Sequence, residues 1–207
     1  MRCEMMIHRW KGNGLTTFEK QEGRGRSMEH GRFPIVAVRL GTSDELSPID
    51  AFIRQRPSNR WVMLGQHSVQ SLDQVWTAWI QTTRNELRSA MVARSVDAEF
   101  LRYLAGTHHI SEAFSRAGWT DAQPHAWVAY IPVAEGVAND LGHLQPSATE
   151  NDRFEADLTA LVGELGWTIE EASMNLSIEG MRTLGIDVEG WPDERLHEAL
   201  IAHILMA

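Results

Sequence analysis

Two short amphipathic helical patterns, joined by a Gly-Thr-His-His turn, constrain this chain more than anything else in it. Across residues 98–118 the order reads AEFLRYLAGTHHISEAFSRAG. Phe100, Leu101 and Leu104 share one helical face, and Gly106 supplies the left-handed cap that ends the first helix. Ile110, Ala113, Phe114 and Ala117 follow at i, i+3, i+4 and i+7, and Gly118 caps the second helix in the same way. Alanine and glycine at these positions let the two helices approach closely. The turn displays Thr107, His108 and His109, a hydroxyl and two imidazoles able to donate hydrogen bonds to a phosphate or a base edge. The same vicinal histidines read equally as solvated or locally capping groups, and they supply only two of the three or four ligands that a zinc site needs.

The flanking pattern alternates between strand and helix. Residues 35–40 form an apolar run typical of a strand, and Ser47-Pro48 opens a helix with proline where its missing N–H costs nothing; Ile49, Phe52 and Ile53 form its apolar face. Residues 61–64 predict a second strand ended by Gly65. Ser71 and Gln74 then form a capping box for a longer helix with Leu72, Val75, Trp76, Trp79, Ile80 and Leu87 on one stripe and Arg84 and Arg88 toward its end. Residues 125–131 predict a strand buried on both faces and stopped by Pro132. Further helices are expected from Asn151-Asp152 to Gly166, from a Thr168/Glu171 capping box, and from Trp191 to the end, where Leu196, Ala199, Leu200, His203 and Ile204 share a stripe. The expectation is an α/β (α+β) chain, a single domain with a small mixed β-sheet flanked by helices.

Charge and composition narrow the function classes. The chain has 207 residues and a net charge of −9; residues 1–33 hold seven basic and four acidic side chains, net +3, which leaves −12 for the remainder. An acidic body repels condensed phosphate, so any nucleic-acid contact must come from a local arginine cluster. Residues 1–33 are glycine-rich and without period, a flexible extension before a domain at 34–207. Cys3 is the only cysteine, which excludes an internal disulfide and a cysteine-based metal cage. No apolar run is long enough for a membrane span, so a cytoplasmic protein is expected. Gly12-Asn13-Gly14 follows no strand and precedes no phosphate-loop lysine, and His197, Glu198 and His203 lack zincin spacing.

Leu101, Arg102, Ala105, Gly106, Ile110, Glu112 and Ala113 together resemble the signature of the CGI/TPRKB-type regulatory subunit of the KEOPS complex, which installs threonylcarbamoyl on a tRNA adenosine. The likeness spans roughly residues 34–207 and departs at His108 and His109, where a polar or arginine residue and a glutamine are usual. The resemblance implies a protein that binds and does not catalyse, with no cofactor and no metal. It implies two partners, the complex's atypical kinase/ATPase and the single-stranded 3′ end of tRNA. Arg102, Thr107, His108, His109 and Arg116 would serve RNA; Phe114, Ile204 and Leu205 would serve the kinase. The competing class is a small-molecule or metal-dependent enzyme built on His67, His108, His109, His125 and His143.

Overall fold

A computed structural model describes residues 32–41, 46–121, 123–137 and 139–207. The extension expected over residues 1–33 therefore lies almost wholly outside the described residues. Phe33 does not: it is fully buried, edge-on to Trp76 at 4.9 Å and stacked on Phe100 at 6.1 Å, so the packed body starts before Pro34.

Four strands make the main sheet: β1 (Ile35–Arg39), β2 (Trp61–Gly65), β3 (His125–Tyr130) and, after the short ribbon of β4 (Ala134–Glu135) and β5 (Gln145–Pro146), β6 (Thr168–Glu170). The order is β2-β3-β1-β6, and every pairing is antiparallel, within the α+β class expected. β3 is central, which explains its unbroken apolar run. Its residues alternate between two cores, Trp127 and Ala129 toward one face and Ala126 and Val128 toward the other.

Among the described residues, seven α-helices cover the two faces. α1 (Pro48–Gln55) and α5 (Ala148–Glu164) pack on one through Phe52, Phe154, Leu158, Leu161 and Val162. The other face carries α2 (Leu72–Leu87), α3 (Val96–Leu104), α4 (Ile110–Ala117), α6 (Ile178–Thr183) and α7 (Leu196–Leu205). Ser71 caps as expected, and Ser47, ahead of the proline that opens α1, caps in the same way, each accepting from the backbone N–H three residues on. Gln74 reaches back to the N–H of Gln70 instead of completing the box on Ser71. Trp79 is fully buried and its indole N–H donates to Pro132 O at 2.8 Å, so α2 is fastened to the end of β3. Burying a side chain of that size is worth about 4–6 kcal/mol before entropy is counted.

Three sequence expectations change. Thr168-x-x-Glu171 does not open a helix: it is the edge strand β6, because residues 168–170 find open N–H and C=O groups on β1 and pair as Arg39 with Thr168 and Ala37 with Glu170. α5 begins at Ala148, ahead of Asn151. α7 is preceded by a 3₁₀ turn at Asp193–Arg195.

Candidate partner-binding site

The α3–α4 pair is built around a buried charge. Every residue of α3 is buried, charged ones included, because α2, α4 and α7 pack around it. Glu99 is fully buried and accepts from Arg102 at 3.0 and 3.3 Å, from Asn85 Nδ2 at 2.9 Å, and from the N–H groups of Val92 and Ala93 at 3.1 and 2.9 Å. Burial pushes this carboxyl toward its neutral form. The bonds from Arg102, Ala93 and Asn85 outweigh it and hold the group below its ordinary range. The same site desolvates the Arg102 guanidinium, and the Glu99 bond and charge more than offset this, so its proton is held more firmly than usual.

Arg102 is 1% exposed. Beyond Glu99 it lies 4.4 Å over the Tyr103 ring and donates to Thr107 O at 3.4 Å and toward His108 Nδ1 at 3.3 Å. It therefore positions the turn from below and presents no surface to a ligand, which corrects the expectation of a direct contact with RNA. The sequence misleads here because Arg102 sits only three residues from Glu99, and helical spacing does not tell a solvated pair from a buried one. Thr107 is also buried; its hydroxyl donates to Glu112 Oε2 and accepts from the N–H of His109 at 3.2 Å. It closes the turn onto the first residues of α4 instead of facing outward. The Thr107 hydroxyl, against slight desolvation and aided by Arg116, holds the Glu112 carboxyl below its usual range.

What the turn does present is His108 and His109, both exposed, and Arg116. The Arg116 side chain is 29% exposed, paired with Glu112 at 2.5 Å and laid against Gly185. Among the residues expected to face a kinase, Phe114 is 46% and Leu205 55% exposed, whereas Ile204 is fully buried and belongs to the core. Met206, at 82% exposure, continues the apolar end beyond Leu205. Phe114 turns outward because Ala113 and Ala117, the small residues of α4, take the inward face.

Two glycines fix this arrangement for different reasons. Gly106 has φ +59°, as its capping role predicts, and a Cβ there would lie 2.1 Å from the His203 ring. His203 Nε2 in turn lies 2.9 Å from Ala105 O and 3.1 Å from Leu184 O, so α7 is keyed into the turn. Gly118 is not left-handed, contrary to expectation: its φ is −71°. Glycine is needed there because a Cβ would stand 2.6 Å from Phe114 O.

The five histidines of the enzyme reading do not form one cluster. His67 and His125 line a cavity in which His108, His109 and His143 have no part. His143 pairs with Asp140 at 2.7 Å on the β4–β5 loop, which raises its pKa. Among the described residues no three histidine, cysteine or acidic side chains are grouped to hold a metal ion, and no helix is long and apolar enough to cross a membrane.

No curated protein matches the sequence. The family model described as kinase binding protein CGI-121 matches residues 45–166, a span running from just before α1 through the α3–α4 turn to the end of α5. That span is more than half of the 207 residues, and on this ground the chain belongs to the CGI-121 family of kinase binding proteins.

Proposed function

We propose that the chain is a non-catalytic regulatory subunit of the KEOPS complex, acting in the cytoplasm on tRNA threonylcarbamoylation, and that it docks on the complex's atypical kinase/ATPase through α4 and the end of α7. The family is named for kinase binding, and the observation that carries the reading is Phe114. A phenylalanine 46% exposed on a helix whose other face is locked by Ala113 and Ala117 is a rigid apolar anchor, the kind of group that dominates interface energies. Leu205 and Met206 supply a second exposed apolar group. The domain that does this is residues 34–207, with Phe33 packed against it.

The tRNA 3′ end would meet His108, His109 and Arg116, with Arg102 and Thr107 shaping the turn that carries them. Splayed bases are held by stacking and edge hydrogen bonds, for which imidazole and guanidinium planes are suited. The permanent cation among the contacting groups is Arg116, already paired with Glu112, so affinity should fall only modestly with salt.

The test is co-purification with the kinase and its ATPase rate with and without this chain, comparing wild type with Phe114→Glu. Loss of the complex and of ATPase stimulation, with thermal stability unchanged, is expected; an unaltered complex would refute the α4 interface. For RNA, the variant to use is His108→Ala/His109→Ala, since Arg102→Glu would place two carboxylates in the core and unfold the site. Equal tRNA affinity of that double variant and wild type at low salt would refute the RNA contact.

A further inference from the structure

A cavity of about 460 Å³ opens on the helix-bundle face of the sheet, within the size range of small-molecule sites. Its floor is apolar, made by Ala37 of β1, Trp127 of β3 and Val69. One wall is the edge strand, where Glu170 bridges Arg39 at 3.2 Å and His125 at 2.8 Å. The opposite wall is His67 and the turn it belongs to. Residues 172–177 form a third side and are tied in place: Gln70 Oε1 accepts from the N–H and hydroxyl of Ser177 at 2.7 and 3.2 Å, while Gln70 Nε2 donates to His67 O at 2.6 Å. Gly180 makes room for that amide, since a Cβ there would fall 1.9 Å from Gln70 Nε2.

The open hydrogen-bonding positions on the side chains of the wall include both acceptors and donors. Glu170 engages His125 through Nδ1, so in the neutral ring the proton sits on Nδ1 and the Nε2 lone pair is free. Neither ring nitrogen of His67 is hydrogen-bonded among the described residues, so a neutral ring there offers one acceptor and one donor, and Asn175 gives one of its two amide N–H groups to Ser173 at 2.7 Å, leaving its carbonyl and the other N–H open. Such a wall suits a ligand that both donates and accepts. An ammonium is a poor choice, because the Glu170 charge is already shared between Arg39 and His125 and the Glu179 carboxylate is exposed and screened by water. An anion is worse, with Glu170 and Glu179 both in the lining. A neutral ligand that donates and accepts and has an apolar side remains, and adjacent hydroxyls on a small ring meet both conditions. We propose that this cavity binds a sugar ring presenting vicinal hydroxyls, with His125 and His67 accepting from the diol and the ring's C–H face resting on the Ala37, Val69 and Trp127 floor.

Such a diol comes from a free nucleoside or from the 3′-terminal ribose of an RNA; only the second source rests on the tRNA reading above. The Trp127 indole N–H, held to Gln66 O at 3.1 Å beside the floor, is the reporter, and its nitrogen–proton NMR signal is assigned by loss in Trp127→Phe. Adenosine is titrated against 2′,3′-dideoxyadenosine, which keeps the base and lacks the diol, and a short RNA is compared before and after periodate opening of its terminal ribose. Expected is a saturable shift with adenosine or with intact RNA, weakened about tenfold or more by removing the diol and by His125→Ala, the size of losing a specific hydrogen-bonded hydroxyl. Glu170→Gln, which frees the His125 ring without removing it, should weaken binding several-fold while the fold melts as wild type. Absence of any saturable shift up to about 10 mM of either probe, or equal response to ligands with and without the diol, overturns the proposal. Because kinase co-purification reads a different face, failure here leaves the Phe114 result standing, and the reverse.

Discussion

Gly106→Ala should be among the most damaging single-methyl changes in the protein. Two independent costs meet at this residue. A φ of +59° costs a residue with a Cβ about 1–2 kcal/mol. The added methyl would also sit 2.1 Å from both Cδ2 and Nε2 of His203, so the imidazole must leave. Its departure gives up the contacts to Ala105 O and Leu184 O, and it strands two carbonyls between α3, α6 and α7, for about 1–3 kcal/mol. Together the change should cost about 2–5 kcal/mol, a large share of a typical domain's stability. For a chain of this length that is a fall in Tm of roughly 4–20 °C. The decisive assay is urea unfolding of wild type, Gly106→Ala, His203→Ala and the double variant. With the ring removed, only the backbone cost of the new alanine should remain, so the double variant should be about 1–3 kcal/mol more stable than the sum of the singles predicts. Additivity within about 0.5 kcal/mol, or a cost below about 1 kcal/mol for Gly106→Ala alone, would refute the keyed-turn geometry.

Three further outcomes follow from the same geometry. Arg102→Met should destabilise by about 3–5 kcal/mol, since it leaves Glu99 buried with no cation, whereas Arg102→Met/Glu99→Leu should recover most of the loss; denaturant midpoints test both. The Glu99 carboxyl is held below its ordinary value of 4.5 in the folded chain, so the unfolded chain binds the extra proton and the stabilisation is fully present above that value. It is lost as pH falls through the lower folded-state value, and in Arg102→Met the acid loss should move to higher pH, read as unfolding midpoint against pH. Gly163→Ala should stabilise by about 0.5–1 kcal/mol, because Gly163 lies inside α5 with nothing within 4 Å of an added Cβ.

Much of this fold can be read from residue order because its signals are local. The proline start of α1 at Pro48, the helix cap at Ser71, the φ of Gly106 and the doubly buried strand at residues 125–131 each depend on a few neighbouring residues, and each takes the expected form. The misplaced features depend on contacts far along the chain. Residues 168–171 carry a helix-start pattern yet become a strand, since the open edge of β1 offers more backbone hydrogen bonds than an isolated turn of helix could make. Gly118 looks like a second left-handed cap, and its requirement is instead the carbonyl of Phe114 one turn earlier. At the candidate site the same division decides what each residue can do. His108, His109 and Phe114 are exposed as an outward-facing role requires, because the turn and the alanine face of α4 leave them no inward alternative. Arg102 and Ile204 are drawn inward by partners that periodicity cannot reveal: a carboxylate that three other donors have already fixed in the core, and the packed face of α7 on α2 and α3. The turn is therefore a buried ion pair carrying an exposed pair of imidazoles. A substitution at Arg102 that abolishes partner binding would report on the support of the surface, and one at His108 or Phe114 on the surface itself.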